Sequence, residues 1–466
     1  MSVAQKRAYT PEKAAPAPIS QQMLQAPPLP LLLRMASPNA IAFLVQASVS
    51  MAEVAFVGRL GTIPLAALAL MFPGLMLMQM LANGAIGGAV SSAVARAIGS
   101  GNHARAEALI WHALAIAGCA GVLFAVLWHG AGAALLGLLG ASAPVRDAAA
   151  SYAGLIFSGA LVLWVTALLS SVFRGMGNMK LPAGLMILSA CVQVPLAGTL
   201  ILGWFGLPGM GIRGAAVAVL SVSLINAAIL LIRLQRSDCM LKLRRERLRL
   251  HGAAFREIFR VGALASLSPV FTVLTIGMVN GIVSGFGTAA LAGYGIVSRL
   301  EFLLVPMVFG LGAAMTAMVG TNMGAGNVDR AERIGWLGGG LAAVITGVVG
   351  IVLALFPSLW LGLFTSDPAI WAAGESYLRI VGPAFAFQGL GLSLYFASQG
   401  AGTVAWPVAA TVLRFVVGVG GGLLTVETFG LGLEAVYLCL SAGMLVYGAL
   451  TGASLRLGAW RRRGSW

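Results

Sequence analysis

Apolar residues fill this chain in long stretches, which short segments rich in Gly, Pro and charged residues interrupt. A helix needs about 20 predominantly apolar residues to cross the hydrocarbon core of a bilayer. Counting such stretches predicts about 12 membrane-spanning helices. They lie near 38–57, 65–93, 108–128, 148–172, 181–203, 212–234, 260–284, 290–320, 334–356, 374–398, 407–425 and 434–455. The pattern therefore predicts an all-α polytopic membrane protein.

The composition excludes the main alternatives to a membrane protein. Of the 466 residues, 59% are hydrophobic and 9% are charged, whereas soluble domains carry about 25% charged residues. Neither a soluble enzyme nor a disordered chain has this balance. The 62 glycines suit helices that pack closely in lipid. The four cysteines and four histidines show no metal-ligand or redox spacing, so we expect no disulfide, metal or other cofactor.

The basic residues predict the orientation of the chain. Its formal net charge is +15, and most of its 29 Lys and Arg residues fall in the termini and in loops after even-numbered spans. The positive-inside rule then places both termini in the cytoplasm and the protein in the plasma (inner) membrane. The densest basic segment, 233–260, is expected to lie along the inner leaflet. Because these charges separate apolar spans, we expect no nucleic-acid partner.

The sequence repeats itself once. Segments 56–69, 93–111 and 174–182 resemble segments 282–295, 318–336 and 399–407, each about 225 residues further on. Because this offset covers six helices, the two halves insert in the same orientation and form parallel repeats, or lobes, around a central cavity. The predicted division is a disordered N-terminal tail at 1–36, an N-lobe at 37–234, a basic linker at 235–259, a C-lobe at 260–456 and a basic tail at 457–466.

Two carboxylates stand inside the predicted spans. An ionised side chain at the bilayer centre costs about 2.5–3.5 kcal/mol on insertion scales, so it is usually protonated, paired or next to a wet cavity. Glu53, near the outer end of the first span, predicts a coupling-ion or substrate site, with an interfacial pair to Arg59 as the alternative. Glu301, which follows Arg299 closely, is a candidate partner for cationic substrates or a member of a structural ion pair.

Polar neighbours accompany Glu53. Gln46 lies two helical turns before it and shares its face, while Gln193 lies in the fifth span. Pro38 begins the first span and predicts either a hinge or a simple first-turn proline. In the repeat, the position of Glu53 is held by Val279, so coupling in the N-lobe would depend on Glu53. The expected substrate cavity is mainly apolar, with candidate lining residues Gln79, Asn83, Tyr294, Glu301 and Gln388.

These segments resemble the multidrug and toxic compound extrusion (MATE) family. The resemblance rests on EVAFVGRLGTIPLAALAL (53–70), ARAIGSGNHARAEA (95–108), RGMGNMKLP (174–182) and VGTNMGAGNVDRAER (319–333), and it covers nearly the whole chain. The surroundings of Glu53 resemble the DinF-like prokaryotic branch. The resemblance implies cation-coupled export of organic, often cationic and amphipathic compounds. We expect a monomeric transporter rather than an enzyme, because the spans contain no convergent cluster of His, Asp or Cys.

This chain also departs from the family pattern. The family usually has Asp where Glu53 stands, and Gln193 aligns with a family Asn. The Asp that the branch often has four residues later is replaced by Ala197. The Glu and Asp of other branches align near Thr272 and at Gln388. These departures favour H⁺ over Na⁺ as the coupling ion. Sodium coupling, and a lipid or lipid-linked oligosaccharide flippase of the same superfamily, stay open as alternatives.

Overall fold

The computed structural model describes residues 19–138, 140–236 and 238–461, with the backbone alone at Phe205 and Phe302. In this part of the chain, eleven single helices and one bent pair are long and apolar enough to cross a membrane, as the sequence predicted. They are α1 (Pro28–Gly58), α2 (Thr62–Gly99), α3 (His103–Leu138), α4 (Ala143–Ser158 and Ala160–Gly175, bent by 49°), α5 (Lys180–Leu202), α6 (Ile212–Gln235), α7 (Gly252–Ser284), α8 (Thr288–Gly324), α9 (Val328–Leu355), α10 (Pro368–Ala401), α11 (Ala405–Glu427) and α12 (Leu433–Arg456). A short N-terminal helix, Ile19–Gln25, precedes α1. The rest of the predicted tails, residues 1–18 and 462–466, lies outside the described residues.

The first span begins ten residues earlier than predicted. α1 starts at Pro28, so Pro38 lies inside a continuous helix and not in its first turn. The prediction stopped at Pro38 because proline usually ends a helix. In a membrane helix, neighbouring helices and side chains compensate for the missing backbone hydrogen bond. Here the added segment buries Leu31 and Met35 in the hydrophobic cluster formed by α8, and this packing extends the helix into the predicted tail.

The backbone shows the repeat directly. Glycines with left-handed φ, which other residues rarely adopt, stand at equivalent turns of the two lobes. They are Gly61 (112°) and Gly287 (102°) before α2 and α8, Gly101 (73°) and Gly326 (78°) after them, and Gly177 (80°) and Gly402 (75°) after α4 and α10. Asn102 and Asn327 each donate a backbone hydrogen bond to the residue five positions earlier, at 2.9 and 2.8 Å. The parallel six-helix repeat is therefore confirmed.

The two lobes meet where α2 crosses α8. A Cβ added to Gly99 would lie 2.0 Å from the carbonyl oxygen of Thr321, and a Cβ added to Gly324 would lie 2.1 Å from that of Arg96. Each helix thus places a glycine against the backbone of the other, as a pseudo-two-fold axis through the contact requires. We call this contact the α2–α8 crossing. It is too close to accommodate any side chain at either glycine.

Both ends of the described chain lie beside this crossing. Arg330, in the first turn of α9, donates to the carbonyl oxygen of Met23 in the N-terminal helix at 3.4 Å. Arg461, after α12, forms ion pairs with Asp329 at 2.7 Å and Glu332 at 2.6 Å. Because both ends meet the start of α9, they share one end of the bundle. We call it the terminal side, and the lobes are in contact there.

Helix α1 connects the two lobes. Its first half packs against α8 of the C-lobe, where a Cβ added to Gly310 would lie 2.6 Å from the backbone nitrogen of Ala40. The rings of Phe43 and Phe309 meet edge-on at 4.7 Å just beyond. Helix α1 also packs along α5 of the N-lobe, to which Glu53 of its second half is hydrogen-bonded through Gln193. A rearrangement around the end of α1 can therefore reach the C-lobe through a single helix.

Candidate functional site

The main polar pair of the N-lobe joins α1 to α5. Nε2 of Gln193 donates a hydrogen bond of 2.7 Å to Oε1 of Glu53. Gln193 is buried and Glu53 is half-buried. Tyr152 of α4, also buried, lies close enough to interact electrostatically with the carboxylate. An amide donor stabilises an ionised carboxylate, whereas apolar surroundings favour the protonated one.

The other two residues that the sequence grouped with Glu53 do not touch it. In the described part of the chain, no hydrogen bond joins the side chain of Gln46 to Glu53 or Gln193, and the backbone carbonyl of Gln46 accepts from Ser50 Oγ at 3.3 Å. Pro38 lies 15 residues from Glu53, which is about 22 Å along an α-helix. The alternative pairing with Arg59 is also absent among the described ion pairs. The observed carboxylate site consists of Glu53, Gln193 and the neighbouring Tyr152.

A second polar group lies deeper between the lobes, at a π-helical turn, Met80–Ala85, inside α2. Such turns are frequent at functional sites. Nδ2 of Asn83 donates to Oε1 of Gln79 at 2.9 Å, and Oδ1 of Asn83 accepts from Nη2 of Arg174 at 3.5 Å. With Phe309 and Phe396 of the C-lobe, Asn83 and Arg174 line a small cavity of about 20 Å³. The predicted substrate residues Gln79 and Asn83 thus lie together, and Asn83 contacts the guanidinium of Arg174.

Arg174 lies beyond the predicted end of the fourth span at residue 172, where a loop was expected. It lies in the last turn of α4 and is buried. Its guanidinium also donates to Oγ of Ser171 at 3.2 Å. Among the described residues, no carboxylate lies within ion-pair distance of it. A basic residue directly at the end of an apolar run was the available signal, but the sequence does not show how deeply the neighbouring helices bury that end.

The polar group of the C-lobe surrounds Glu301 with tyrosines. The hydroxyl of Tyr377 donates a hydrogen bond to Oε1 of Glu301. The ring of Tyr377 lies edge-on to the rings of Tyr294, at 5.6 Å, and Tyr437, at 5.0 Å. The hydroxyl of Tyr437 is buried and has no hydrogen-bond partner within the described chain. A carboxylate beside several aromatic rings is a combination that binds organic cations.

The remaining predictions for the C-lobe have different outcomes. Arg299 does not pair with Glu301, because its guanidinium lies over the ring of Phe364 at 5.8 Å from the centroid. Gln388 of α10 has a buried Oε1 without a hydrogen-bond partner in the described residues, and it forms no hydrogen bond with Glu301 there. Of the predicted C-lobe residues, the structure therefore brings together Tyr294 and Glu301. Tyr377 and Tyr437 were not among the predicted site residues, although the chain has only seven tyrosines.

A charged network holds the lobes together at the terminal side. Arg96 of α2 donates to the carbonyl oxygen of Gly400 at 3.0 Å and to Oε1 of Glu257 at 3.1 Å. Glu257, in the first half of α7, also pairs with the exposed Arg105 at 2.5 Å. Arg96 is 5% exposed, although it lies beyond the predicted end of the second span at residue 93. Gly400 belongs to α10 of the C-lobe, and Glu257 belongs to α7, which begins at Gly252 and so includes the end of the segment predicted as a linker. This network therefore supports the contact at the α2–α8 crossing.

Two parallel six-helix lobes, joined through α1 and each with polar groups between its helices, define a membrane transporter fold. The MatE family model matches residues 38–199 and 266–424, one range in each lobe. The chain belongs to this family of MATE transporters, as its sequence motifs suggested.

Two relatives match this chain over most of its length. A probable multidrug resistance protein NorM of Thermotoga maritima is 26% identical over 436 residues, 93% of each chain. A FAD transporter of Shewanella oneidensis is 28% identical over 380 residues, 81% of this chain and 82% of its own. The crystal structure of a MATE protein in complex with MaD3S superposes with a TM-score of 0.87 at 25% identity, over 95% of this chain and 98% of that one.

Proposed function

We propose that this protein is a secondary active multidrug exporter, which exchanges protons for organic, often cationic and amphipathic compounds across the inner membrane. Multidrug efflux is supported by family membership and by relatives named multidrug resistance proteins. Proton coupling is carried by one observation: a half-buried carboxylate, Glu53, is hydrogen-bonded to Gln193 at 2.7 Å. This carboxylate lies on α1, a helix that packs against both lobes.

The proposed coupling follows from hydration. An ionised Glu53 requires water or the amide of Gln193, so it holds its pocket open. A protonated Glu53 tolerates apolar surroundings, so the pocket can close and α1 can shift, with Pro38 inside the helix as the expected hinge. The first half of α1 would carry this shift to α8. A proton changes the conformational equilibrium only if it binds one state more tightly than the other, so proton and substrate must favour different states.

The substrate is expected to bind between the lobes, in a mainly apolar cavity. Apolar contacts supply broad specificity, because they depend on area rather than on directed bonds. The cluster of Glu301, Tyr294 and Tyr377 would recognise the positive end of a cationic compound through charge and ring faces. Gln388, with its buried Oε1, is proposed as a further polar contact.

An anionic cargo is the second candidate, and Arg174 favours it. This buried guanidinium lines the cavity between the lobes, and no carboxylate within the described chain neutralises it at ion-pair distance. One relative of similar length is named a FAD transporter, and FAD carries phosphates. The lipid-linked substrate of a flippase would present the same anionic chemistry to Arg174.

The deciding experiment measures transport in proteoliposomes. Efflux of a cationic dye is followed under an imposed pH gradient and then under an imposed sodium gradient. We expect the pH gradient alone to drive transport, Glu53→Gln to abolish it and Glu53→Asp to retain part of it. Glu427→Gln, at the exposed end of α11, is the matched control and should transport normally.

Three results would contradict parts of the proposal. Transport at the wild-type rate by Glu53→Gln would remove Glu53 from the mechanism. Transport driven by the sodium gradient alone would replace H⁺ by Na⁺. Uptake of FAD that competes with the dye and is lost in Arg174→Gln would favour the anionic cargo.

A further inference from the structure

A separate cavity of about 340 Å³ lies at the terminal side. Its walls come from the N-terminal helix, the start of α1, the turn between α4 and α5, and the segment after α6. One part of the wall is basic, with Arg34, Lys180 and Arg233. Another part is apolar, with Phe173 and four methionines, Met35, Met176, Met179 and Met240. Neither the transport site nor the α2–α8 crossing contributes to it.

The basic wall is only partly neutralised. Asp238, the one carboxylate in the cavity wall among the described residues, lies 3.8 Å from Arg233 and 3.6 Å from Arg236. Within the described part of the chain, no carboxylate lies within 4.0 Å of Arg34 or Lys180. Arg34 and Lys180 are exposed and Arg233 is 40% exposed, so solvent screens much of the repulsion among them. An anion bound between them would remove the remainder and add attraction. The cavity therefore favours an anionic ligand.

The position of the cavity limits the kind of anion. Lys180 is the first residue of α5 and Arg233 lies in the last turn of α6, while Arg34 lies in the second turn of α1. Basic residues at the ends of membrane-spanning helices lie at the level of the lipid headgroups. An apolar wall beside the basic one suits a ligand that is itself amphipathic. Both properties match an anionic phospholipid.

We propose that this cavity binds the phosphate headgroup of an anionic phospholipid, with Arg34 and Lys180 as its main charged contacts. Binding would also secure the N-terminal helix, because Ile19 and Gln22 line the cavity. The next residue, Met23, is fully buried, and its carbonyl oxygen accepts a hydrogen bond of 3.0 Å from Nδ2 of Asn322 in the C-lobe. A bound headgroup would thus stabilise the contact between the lobes on the terminal side.

The test compares three probes on the purified full-length protein in detergent micelles. Native mass spectrometry and thermal unfolding are recorded with phosphatidylglycerol, with phosphatidylcholine and with inorganic phosphate. The wild type should bind phosphatidylglycerol at least about tenfold more tightly than phosphatidylcholine. At about 1 kcal/mol for each basic residue near an anionic headgroup, Arg34→Gln/Lys180→Gln should bind phosphatidylglycerol about 30-fold more weakly.

The matched control removes two other basic residues from the same side. Arg249→Gln/Arg256→Gln changes exposed residues that do not line the cavity, and it should keep wild-type binding. An equal loss in both double variants would overturn the proposal in favour of diffuse attraction to the basic face. Equal affinity of the wild type for the two lipids would also overturn it, and this comparison needs no variant to fold. Stabilisation by inorganic phosphate as strong as by phosphatidylglycerol would mean a free-phosphate site. These measurements record binding and not transport, so they stand independently of the proposed export.

Discussion

Replacing Gly99 by Ala should force the lobes apart at the α2–α8 crossing. The added Cβ would lie 2.0 Å from the carbonyl oxygen of Thr321 and 2.8 Å from its carbonyl carbon. Both are backbone atoms of a buried helix, so neither can rotate away as a flexible side chain would. Gly324→Ala provides the equivalent change from the other lobe, because its Cβ would lie 2.1 Å from the carbonyl oxygen of Arg96.

The size of the effect follows from this geometry. A carbon approaches a carbonyl oxygen to about 3.3 Å at closest in favourable packing, so the crossing must widen by about 1.3 Å. Overpacking of this kind costs about 1–3 kcal/mol. If the clash exists only while the terminal side is closed, the ratio of closed to open molecules should fall about 5- to 150-fold.

Distances between spin labels measure this ratio. One pair replaces His103 and Val328, at the starts of α3 and α9 on the terminal side. The other replaces Thr62 and Thr288, the first residues of α2 and α8 at the opposite end. The labels require a background without the four free cysteines. Gly99→Ala should lengthen the terminal-side distances, shorten or leave unchanged those at the opposite end, and slow dye efflux.

The control is Gly118→Ala in α3, whose added Cβ would meet no atom within 4 Å. It should reproduce the wild-type distances and efflux. If Gly99→Ala and Gly324→Ala both retained the wild-type distance distributions, the α2–α8 crossing could not be a contact on which closure depends.

Three further outcomes are expected. Arg96→Met should also shift the label distances towards an open terminal side, since breaking a buried ion pair costs about 3–5 kcal/mol. Arg105→Gln, which removes the exposed partner of Glu257, should cost under about 1 kcal/mol. Equal shifts of the label distances in the two variants would contradict this prediction. Tyr377→Phe removes the hydroxyl donor to Glu301 and should raise the KM for cationic substrates about tenfold, consistent with a hydrogen bond to a charged group. The KM for neutral substrates should not change. An equal rise in KM for both kinds of substrate would mean that Tyr377 has a structural role. Met23→Ala leaves a cavity and should lower the free energy of unfolding by about 2–5 kcal/mol. Hydrogen exchange should become faster in the N-terminal helix before it does in the rest of the described chain.

Part of the candidate site could be predicted from the sequence because carboxylates are rare inside apolar spans. A carboxylate inside an apolar span is costly, so Glu53 and Glu301 stood out at once. The sequence grouped Gln193 with Glu53, and in the structure the two side chains are joined by a hydrogen bond. Gln46 was grouped with Glu53 by helical periodicity and by the family resemblance. Periodicity shows that two residues share a face but not which neighbouring helix that face meets.

The basic residues illustrate the opposite case. Arg96 and Arg174 were assigned to loops because arginines usually flank spans. Whether such a residue is exposed at a helix end or buried between lobes depends on helices that are distant in the sequence. The same holds for Pro38, which looked like a helix start until packing of Leu31 and Met35 against α8 extended the helix past it.

The number of spans, their order and the parallel repeat follow from the amino-acid sequence, because they depend on the lengths of apolar runs and on a constant offset along the chain. The sites where the lobes touch, the charges that meet across them and the packing of α1 against both lobes follow from the three-dimensional arrangement of the helices. These contacts depend on how closely the helices approach each other. The sequences around Gly99 and Thr321 do not indicate that these two residues meet.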